Sequence, residues 1–371
     1  MNPIRHGSPG ARRLVTMIIA ALLAMAPTTA LANDAYTFDG VVFDIAASPH
    51  GGLLVADAYS GAIHEIRRDG GTSQLASVPL PDTGPVFPTG VNGLAALGAG
   101  NFFATTGGGD RAAGAKVWRV SPGGARMVAD IEAFENAHDP DAFIGPGWKD
   151  QRCEASGGYT AGAQSNPYHL AALHGGEALV ADAAGNTLLS ARTDGRIEVV
   201  AVFTPPVVGG NWLPLFSLAD GTTCYVQPVP TSVAIGPDGA YYVGELTGAT
   251  PALGDAPGLS RVWRIDPGAR NVTCPSAACQ LVVSGLTSII DVEFGPDGAL
   301  YVVEWDAAGW LAALTGGGAG GTVKRCDVAT NSCLTVAAGL ALPGAIAFDA
   351  DGTAWLLENT FAPTVRVLSQ P

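Results

Sequence analysis

The chain has 371 residues, with 19 lysines and arginines against 33 aspartates and glutamates, and a formal net charge of −14 at pH 7. Such a charge repels nucleic-acid phosphates and anionic membrane surfaces, so neither is an expected partner. The same acidity would keep an apolar, glycine-rich exported protein soluble, since 47% of the residues are hydrophobic and 50 are glycine.

The first 32 residues predict a secretory signal peptide. Arg5, Arg12 and Arg13 precede the apolar run LVTMIIAALLAMA, and the small residues Ala30 and Ala32 then frame a cleavage site. The apolar run is too short to span a membrane, and no other stretch reaches about 20 consecutive apolar residues. We therefore expect a secreted or periplasmic protein with no membrane span and a single domain over residues 33–371. Removal of the three arginines gives the exported chain a formal charge of 16 − 33 = −17.

An internal repeat is marked by turn glycines that recur at irregular spacings: Gly51, Gly100, Gly176, Gly239, Gly298 and Gly352. Six positions before each glycine lies an apolar residue: Ile45, Leu94, Leu170, Val233, Val292 and Ile346. Five positions before it lies alanine in every copy but one, where Glu293 stands instead. Three positions after it lies a large side chain: Leu54, Phe103, Leu179, Tyr242, Tyr301 and Trp355.

Each copy of the repeat predicts a strand, a tight turn and a second strand. The turn is clearest as Gly-Pro-Asp-Gly, in which proline fixes φ and glycine occupies the position that needs positive φ. A third strand follows, as in RVWRI (261–265), and a fourth, as in QLVVSGL (280–286). Because the second strands are apolar on both faces, each small sheet must be covered on both sides. Four-stranded sheets stacked around an axis satisfy this requirement, so the sequence predicts an all-β, six-bladed β-propeller.

The two ends of the chain are expected to share the last blade. The sixth unit supplies three strands, AIAFDA, AWLLEN and TVRVLS, before the sequence ends. A fourth strand is available in AYTFDGV (35–41), ahead of the first repeat. We predict that this N-terminal strand pairs with TVRVLS and closes the ring.

The cysteines predict three disulfides, because six cysteines in an exported chain are more often paired than free. Cys274 and Cys279 flank one predicted turn between third and fourth strands, and Cys326 and Cys333 flank the equivalent turn in the next unit. Partners across a hairpin start within disulfide reach. By elimination Cys153 pairs with Cys224, and both lie in loops that lead into the first strands of adjacent blades.

Acidic residues recur at the end of the second strand, six positions after the turn glycine: Asp57, Asp182, Glu245, Glu304 and Glu358, with Thr106 in the second unit. We interpret this acid ring as architectural, its members accepting backbone N–H groups from neighbouring loops. The first strands begin with Asp44, His169 and Asp291 in three units, and both sets are expected at one mouth of the channel. Glu293 would lie one step deeper than Asp291.

Three stretches carry a resemblance to a known family: SNPYHLAAL-HGGEALVADAAGNTLL (165–189), VPTSVAIGPDGAYYVGELTG (229–248) and LTSIIDVEFGPDGALYVVEW (286–305). Together they resemble the ScyD/ScyE family of exported bacterial proteins, whose members lack an assigned reaction. The run from Asp182 to Asn186 also resembles an NHL repeat. The resemblance implies an exported propeller, and the segment 134–159 departs from it as an insertion.

Two classes of function follow, and they differ in whether the protein is an enzyme. In the first, a non-catalytic monomer binds a small molecule or a protein at the acidic mouth, through Asp44, His169, Asp291 and Glu293. In the second, Ca²⁺ held by Asp291, Glu293, Glu245 and Glu304 serves a gluconolactonase-like hydrolase. We favour binding, because such a hydrolase needs Asn and Asp ligands on several inner strands, where this sequence has mostly Ala, Gly and Ser. The candidate cofactor, which belongs to the second class, is Ca²⁺.

Overall fold

The computed structural model describes residues 35–81, 89–108, 114–142, 163–174, 176–217, 223–248 and 257–368. The predicted signal peptide and Cys153 lie outside the described residues. No helix in the described ranges is long and apolar enough to cross a membrane.

Six sheets surround a central axis, and each is a blade whose strands follow one another from the inside outward, which makes the fold a six-bladed β-propeller. The first strand of the chain, β1 (Ala35–Thr37), belongs to the last blade. The first blade contains β2 (Val42–Ala47), β3 (Leu53–Asp57), β4 (Ala62–Ile66) and β5 (Thr72–Ser77). The second contains β6 (Gly90–Gly98), β7 (Asn101–Gly107), β8 (Lys116–Ser121) and β9 (Gly124–Asp130), and helix α1 (Ile131–His138) follows it. The third contains β10 (Pro167–Leu173), β11 (Glu177–Asp182), β12 (Thr187–Arg192) and β13 (Ile197–Phe203).

Two short hairpins separate the third blade from the fourth. They are β14 (Val207–Val208) with β15 (Asn211–Trp212), and β16 (Pro214–Ser217) with β17 (Thr223–Tyr225). The fourth blade contains β18 (Pro230–Ile235), β19 (Tyr241–Glu245), β20 (Ser260–Ile265) and β22 (Cys279–Leu286), whereas β21 (Val272–Cys274) joins the third blade. The fifth contains β23 (Ile289–Phe294), β24 (Leu300–Glu304), helix α2 (Trp310–Thr315), β25 (Gly321–Asp327) and β26 (Ser332–Leu340). The sixth contains β27 (Ala345–Phe348), β28 (Ala354–Glu358) and β29 (Thr364–Val367).

Strand β1 is the outermost strand of the sixth blade and pairs antiparallel with β29, placing Tyr36 opposite Val365. Tyr36 is buried in the apolar layer between the sixth and first blades, where its ring centre lies 6.0 Å from that of Trp355. How much this pairing contributes to closing the ring stays a prediction.

The core is divided into layers between neighbouring blades. Six apolar clusters fill the six interfaces, and each combines residues of two adjacent blades. Phe103 and Val180, for example, pack together between blades two and three. Both faces of every second strand are therefore buried, as their unbroken apolar sequences predict.

Two of the three predicted disulfides lie within the described residues. Cys274 of β21, at the edge of the third blade, bonds to Cys279 of β22 in the fourth, and Cys326 bonds to Cys333 within the fifth blade. These two predictions are confirmed. The pairing of Cys153 with Cys224 stays a prediction, because Cys153 is not among the described residues.

Candidate functional site

The inner strands carry a bulge near their starts. In β2 Val42 pairs with Asp57 while Ile45 pairs with Val55, so two residues of the inner strand face one residue of its neighbour. The same register shift occurs in β6, β10, β18 and β23. A bulge turns side chains away from their usual alternation. In this propeller the bulges lie next to the inner-strand side chains that meet inside the channel.

Three buried polar side chains meet across the channel: Asp44, His169 and Asp291, called here the channel triad. Nδ1 of His169 lies 3.0 Å from Oδ1 of Asp291, and Nε2 lies 3.9 Å from Oδ1 of Asp44. The three residues come from blades one, three and five. The equivalent residues of blades two, four and six are the small Gly93, Ser232 and Ala345, which leave room for them.

Both carboxylates of the channel triad also hold the backbone of a neighbouring blade. Oδ2 of Asp44 accepts a hydrogen bond from the Leu94 amide at 2.7 Å, and Oδ2 of Asp291 accepts one from the Ile346 amide at 2.9 Å. These bonds join blade one to blade two and blade five to blade six. The triad therefore stabilises the ring of inner strands in addition to filling the channel.

Electrostatics favour a protonated histidine in the channel triad. Burial lowers the pKa of His169, but Asp44 and Asp291 outweigh it and raise the pKa to about 9. Burial raises the pKa of Asp44 to about 7; Asp291 adds to this rise, whereas His169 opposes it. Nε2 of His169 also lies 3.3 Å from the Phe43 carbonyl oxygen. An imidazolium that donates from both ring nitrogens satisfies these contacts.

A cavity of about 240 Å³ extends from the channel triad along the inner strands. Aliphatic side chains form part of its wall. Every blade also contributes the residue five positions before its turn glycine, which is alanine in five blades and glutamate in the fifth blade: Ala46, Ala95, Ala171, Ala234, Glu293 and Ala347. Glu293 is half-buried. Burial, followed by the charges of Asp291 and Asp44, raises the pKa of Glu293 to about 8. In the described part of the chain Glu293 forms no ion pair and no hydrogen bond to another side chain.

The cavity and the acid ring lie on opposite sides of the channel triad. The cavity is lined from Asp44 to Ala47 in the first blade and from Asp291 to Glu293 in the fifth, and no member of the acid ring lines it. Asp57, in contrast, pairs with Val42, which precedes the triad. On that side Phe43 and Tyr168 approach to 6.2 Å between ring centres, and Tyr168 stacks on His169. The cavity therefore extends from the triad away from the acid ring. The expectation that the acid ring and the first-strand residues share one mouth stays a prediction.

Most members of the acid ring hold loops. Asp182 accepts from the Asn166 amide at 2.7 Å, Glu304 from the Thr287 amide at 2.6 Å, and Glu358 from the Ala341 amide at 3.0 Å. These amides belong to the segments that lead into the first strands of blades three, five and six. Asp57 differs, since among the described residues it accepts only from amides of its own turn, Tyr59 and Ser60.

Two of the proposed calcium ligands are held away from the channel triad by cations. Oε2 of Glu245 lies 2.6 Å from Nε of Arg261, and Oε2 of Glu304 lies 2.9 Å from Nζ of Lys324. Burial raises the pKa of Glu245 to about 7, while Arg261 opposes the rise. The structure thus brings Asp44, His169 and Asp291 together, with Glu293 nearby, but it does not add Glu245 or Glu304 to them.

The channel triad has the residue types of a metal site, but its hydrogen bonds do not suit Ca²⁺. Ca²⁺ takes six to eight oxygen ligands, whereas the triad offers two carboxylates and an imidazole within 4.8 Å of one another. One oxygen of each carboxylate already accepts a backbone amide. Both nitrogens of His169 face oxygen acceptors, which fits a proton donor better than a metal ligand. The residues of the triad therefore do not fit a Ca²⁺ site.

No protein-family model and no curated protein matches this sequence. Among solved structures, the PQQ-bound aldose sugar dehydrogenase of Streptomyces coelicolor aligns with a TM-score of 0.53 and 11% identity, over 91% of this chain and 96% of that one. A gluconolactonase of Xanthomonas campestris aligns with a TM-score of 0.51 and 13% identity, over 92% of both chains. A streptogramin B lyase aligns with a TM-score of 0.47 and 14% identity, over 90% and 97%. At such low identity the first two similarities show the propeller fold alone.

Proposed function

We propose that the protein is a non-catalytic binding protein that takes a small organic cation, an alkylammonium group, into its channel cavity. Glu293 carries the proposal, because it places a carboxyl group without a side-chain partner where the other five blades have alanine. A carboxylate that is partly removed from water is costly unless it is paired. A cation that enters the cavity would supply the missing charge.

The charge of the surroundings supports a cation over an anion. Asp44 and Asp291 contribute two further carboxyl groups at the floor of the cavity, against the single imidazolium of His169. The formal charge of the whole chain, −14, attracts cations at long range and repels anions. In this proposal the protein acts outside the cytoplasm, as its predicted signal peptide indicates.

The proposal predicts a binding reaction that releases protons. Because the pKa of Glu293 is raised to about 8, the carboxyl is mostly protonated at neutral pH in the absence of ligand. A bound cation favours the ionised form, so affinity should increase as the pH rises through about 8, and loss of the His169 proton at its pKa of about 9 should add to the increase. Isothermal titration calorimetry with n-butylammonium, which stays charged over this range, in buffers of different ionisation enthalpy measures both affinity and proton release.

Glu293→Gln should weaken n-butylammonium binding at least about tenfold, a loss of about 1.4 kcal/mol, and should remove the part of the pH dependence that Glu293 contributes near pH 8. Asp57→Asn is the matched control, since it makes the same change of charge outside the cavity. Uncharged n-butanol should bind the wild type far more weakly than the amine. Equal affinity of wild type and Glu293→Gln for the amine would refute the proposal.

A further inference from the structure

The third strands of three blades carry an arginine at the same position of the repeat. Arg119 lies opposite Phe103, Arg264 opposite Tyr242 and Arg325 opposite Tyr301. In blades four and five the guanidinium pairs with the aspartate of the Gly-Pro-Asp-Gly turn. Nε of Arg264 lies 2.8 Å from Asp238, and Nε of Arg325 lies 2.6 Å from Asp297.

Blade two keeps the arginine but lacks the aspartate. Its turn is built from Gly98, Ala99 and Gly100, and Ala99 takes the position that Asp238 and Asp297 occupy in the other two blades. Ala99 has a φ of 51°, so this is a different turn, with Gly98 directly paired to Asn101.

Arg119 is left without a carboxylate. Among the described residues it makes no ion pair and no side-chain hydrogen bond. Arg126 and Arg196 also lack an ion pair in the described ranges, but both are exposed, whereas Arg119 is half-buried. A guanidinium that is partly removed from water and has no counter-ion can donate two parallel hydrogen bonds to a carboxylate in bidentate geometry.

Arg119 lines a groove of about 640 Å³ between blades two and three. The polar residues Asn101, His174 and Thr193 line the same groove. Ala96 and Ala172 line both this groove and the channel cavity, so the two spaces adjoin. A ligand held at Glu293 can therefore extend outward past the alanines to Arg119.

We infer that the ligand is zwitterionic, with its ammonium group at Glu293 and a carboxylate at Arg119. The inference rests on the proposed binding of a cation in the channel and adds the second recognition group. The ligand's carboxylate would take the place that Asp238 and Asp297 fill in blades four and five. The chemical class is that of amino acids or short peptides whose charged ends are separated by an apolar segment lying against the alanines.

The test compares two series of probes by calorimetry: alkylamines, and α,ω-amino acids with the same chain lengths. At one chain length or a narrow range of lengths, the amino acid should bind at least about tenfold more tightly than the matching amine. Arg119→Gln should abolish this gain and leave amine binding unchanged. Arg325→Gln is the matched control, because it removes an arginine at the same repeat position whose carboxylate partner is internal, and it should retain the gain.

The outcomes separate this inference from the function on which it rests. If amines bind through Glu293 but amino acids of every length bind no more tightly, the inference is overturned and the proposed function stands. The same holds if Arg119→Gln keeps the full gain. If neither series binds, both are overturned. Circular dichroism should show that the two arginine variants fold as the wild type does.

Discussion

At the scale of single residues, the channel triad depends on a proton. The pKa of His169 is raised to about 9 when folded, against 6.5 for an ordinary histidine. Its ion pairs therefore stabilise the fold fully below about pH 6.5 and lose this contribution as the pH rises through about 9. We expect the free energy of unfolding to fall by a few kcal/mol over that interval.

Nuclear magnetic resonance of ¹⁵N-labelled imidazole measures the protonation of His169 directly. We expect both ring nitrogens to stay protonated at about pH 8, where an ordinary imidazole is already neutral. Chelator should leave the spectrum and the melting curve unchanged. A neutral His169 at pH 7, or a melting temperature that chelator lowers, would contradict the protonated triad and favour a metal there.

The residues of the channel triad could be selected from the sequence because the repeat alignment gives their register. Asp44, His169 and Asp291 occupy one repeat position, and alternate blades bring that position together around the channel. Their hydrogen bonds could not be predicted in the same way. Which side of the triad is open depends on the bulges and on Phe43 and Tyr168, and neither feature leaves a periodic signal. Arg119 was not indicated by the sequence pattern. It differs from the equivalent arginines only because Ala99 stands where blades four and five have their aspartate partner.

At the scale of strands and loops, the acid ring predicts a graded loss of stability. Glu304 is buried and accepts the Thr287 amide, the Thr322 hydroxyl and the Lys324 ammonium. Glu304→Gln should cost on the order of 1–3 kcal/mol, because a buried donor loses its acceptor. Asp57→Asn should cost less than about 1 kcal/mol, since Asp57 accepts only weak bonds in its own turn.

Urea denaturation of these two variants beside the wild type measures the difference. If both variants lost a similar free energy of unfolding, the acid ring would not stabilise the protein by holding loops. Glu358→Gln offers a second comparison, because Glu358 is partly exposed and holds the Ala341 amide and Arg366. Its loss should fall between the other two.

The strands that repeat were predictable, whereas the strands between blades were not. Tight turns and apolar positions locate the inner strands, so β20, β22 and β26 lie close to the predicted segments. Strand β21 follows no such pattern. It has three residues and pairs in parallel with β13 of the preceding blade, with Val272 opposite Ala201. Such pairing depends on how two blades meet, and the local sequence does not record it.

At the scale of the whole molecule, a propeller is a ring whose stability requires every interface, including the one that joins the two ends of the chain. Five interfaces lie between blades that are consecutive in sequence. The sixth unites blades six and one, and its apolar cluster contains Tyr36 from β1 beside Trp355. If β1 is docked in solution, the ring is closed by residues from both ends of the chain.

Tyr36→Ala tests this closure without shortening the chain. Tyr36 is 8% exposed, so its removal leaves a cavity between two blades and should cost about 3–5 kcal/mol. Tyr59→Ala is the matched control, because Tyr59 is 47% exposed and its loss should be close to neutral. Thermal and urea unfolding of both variants gives the comparison. Equal stabilities of Tyr36→Ala and the wild type would show that β1 does not hold the ring closed. A selective loss in Tyr36→Ala means that the packing of β1 in the layer between blades six and one contributes to the stability of the ring, as closure by both ends of the chain requires.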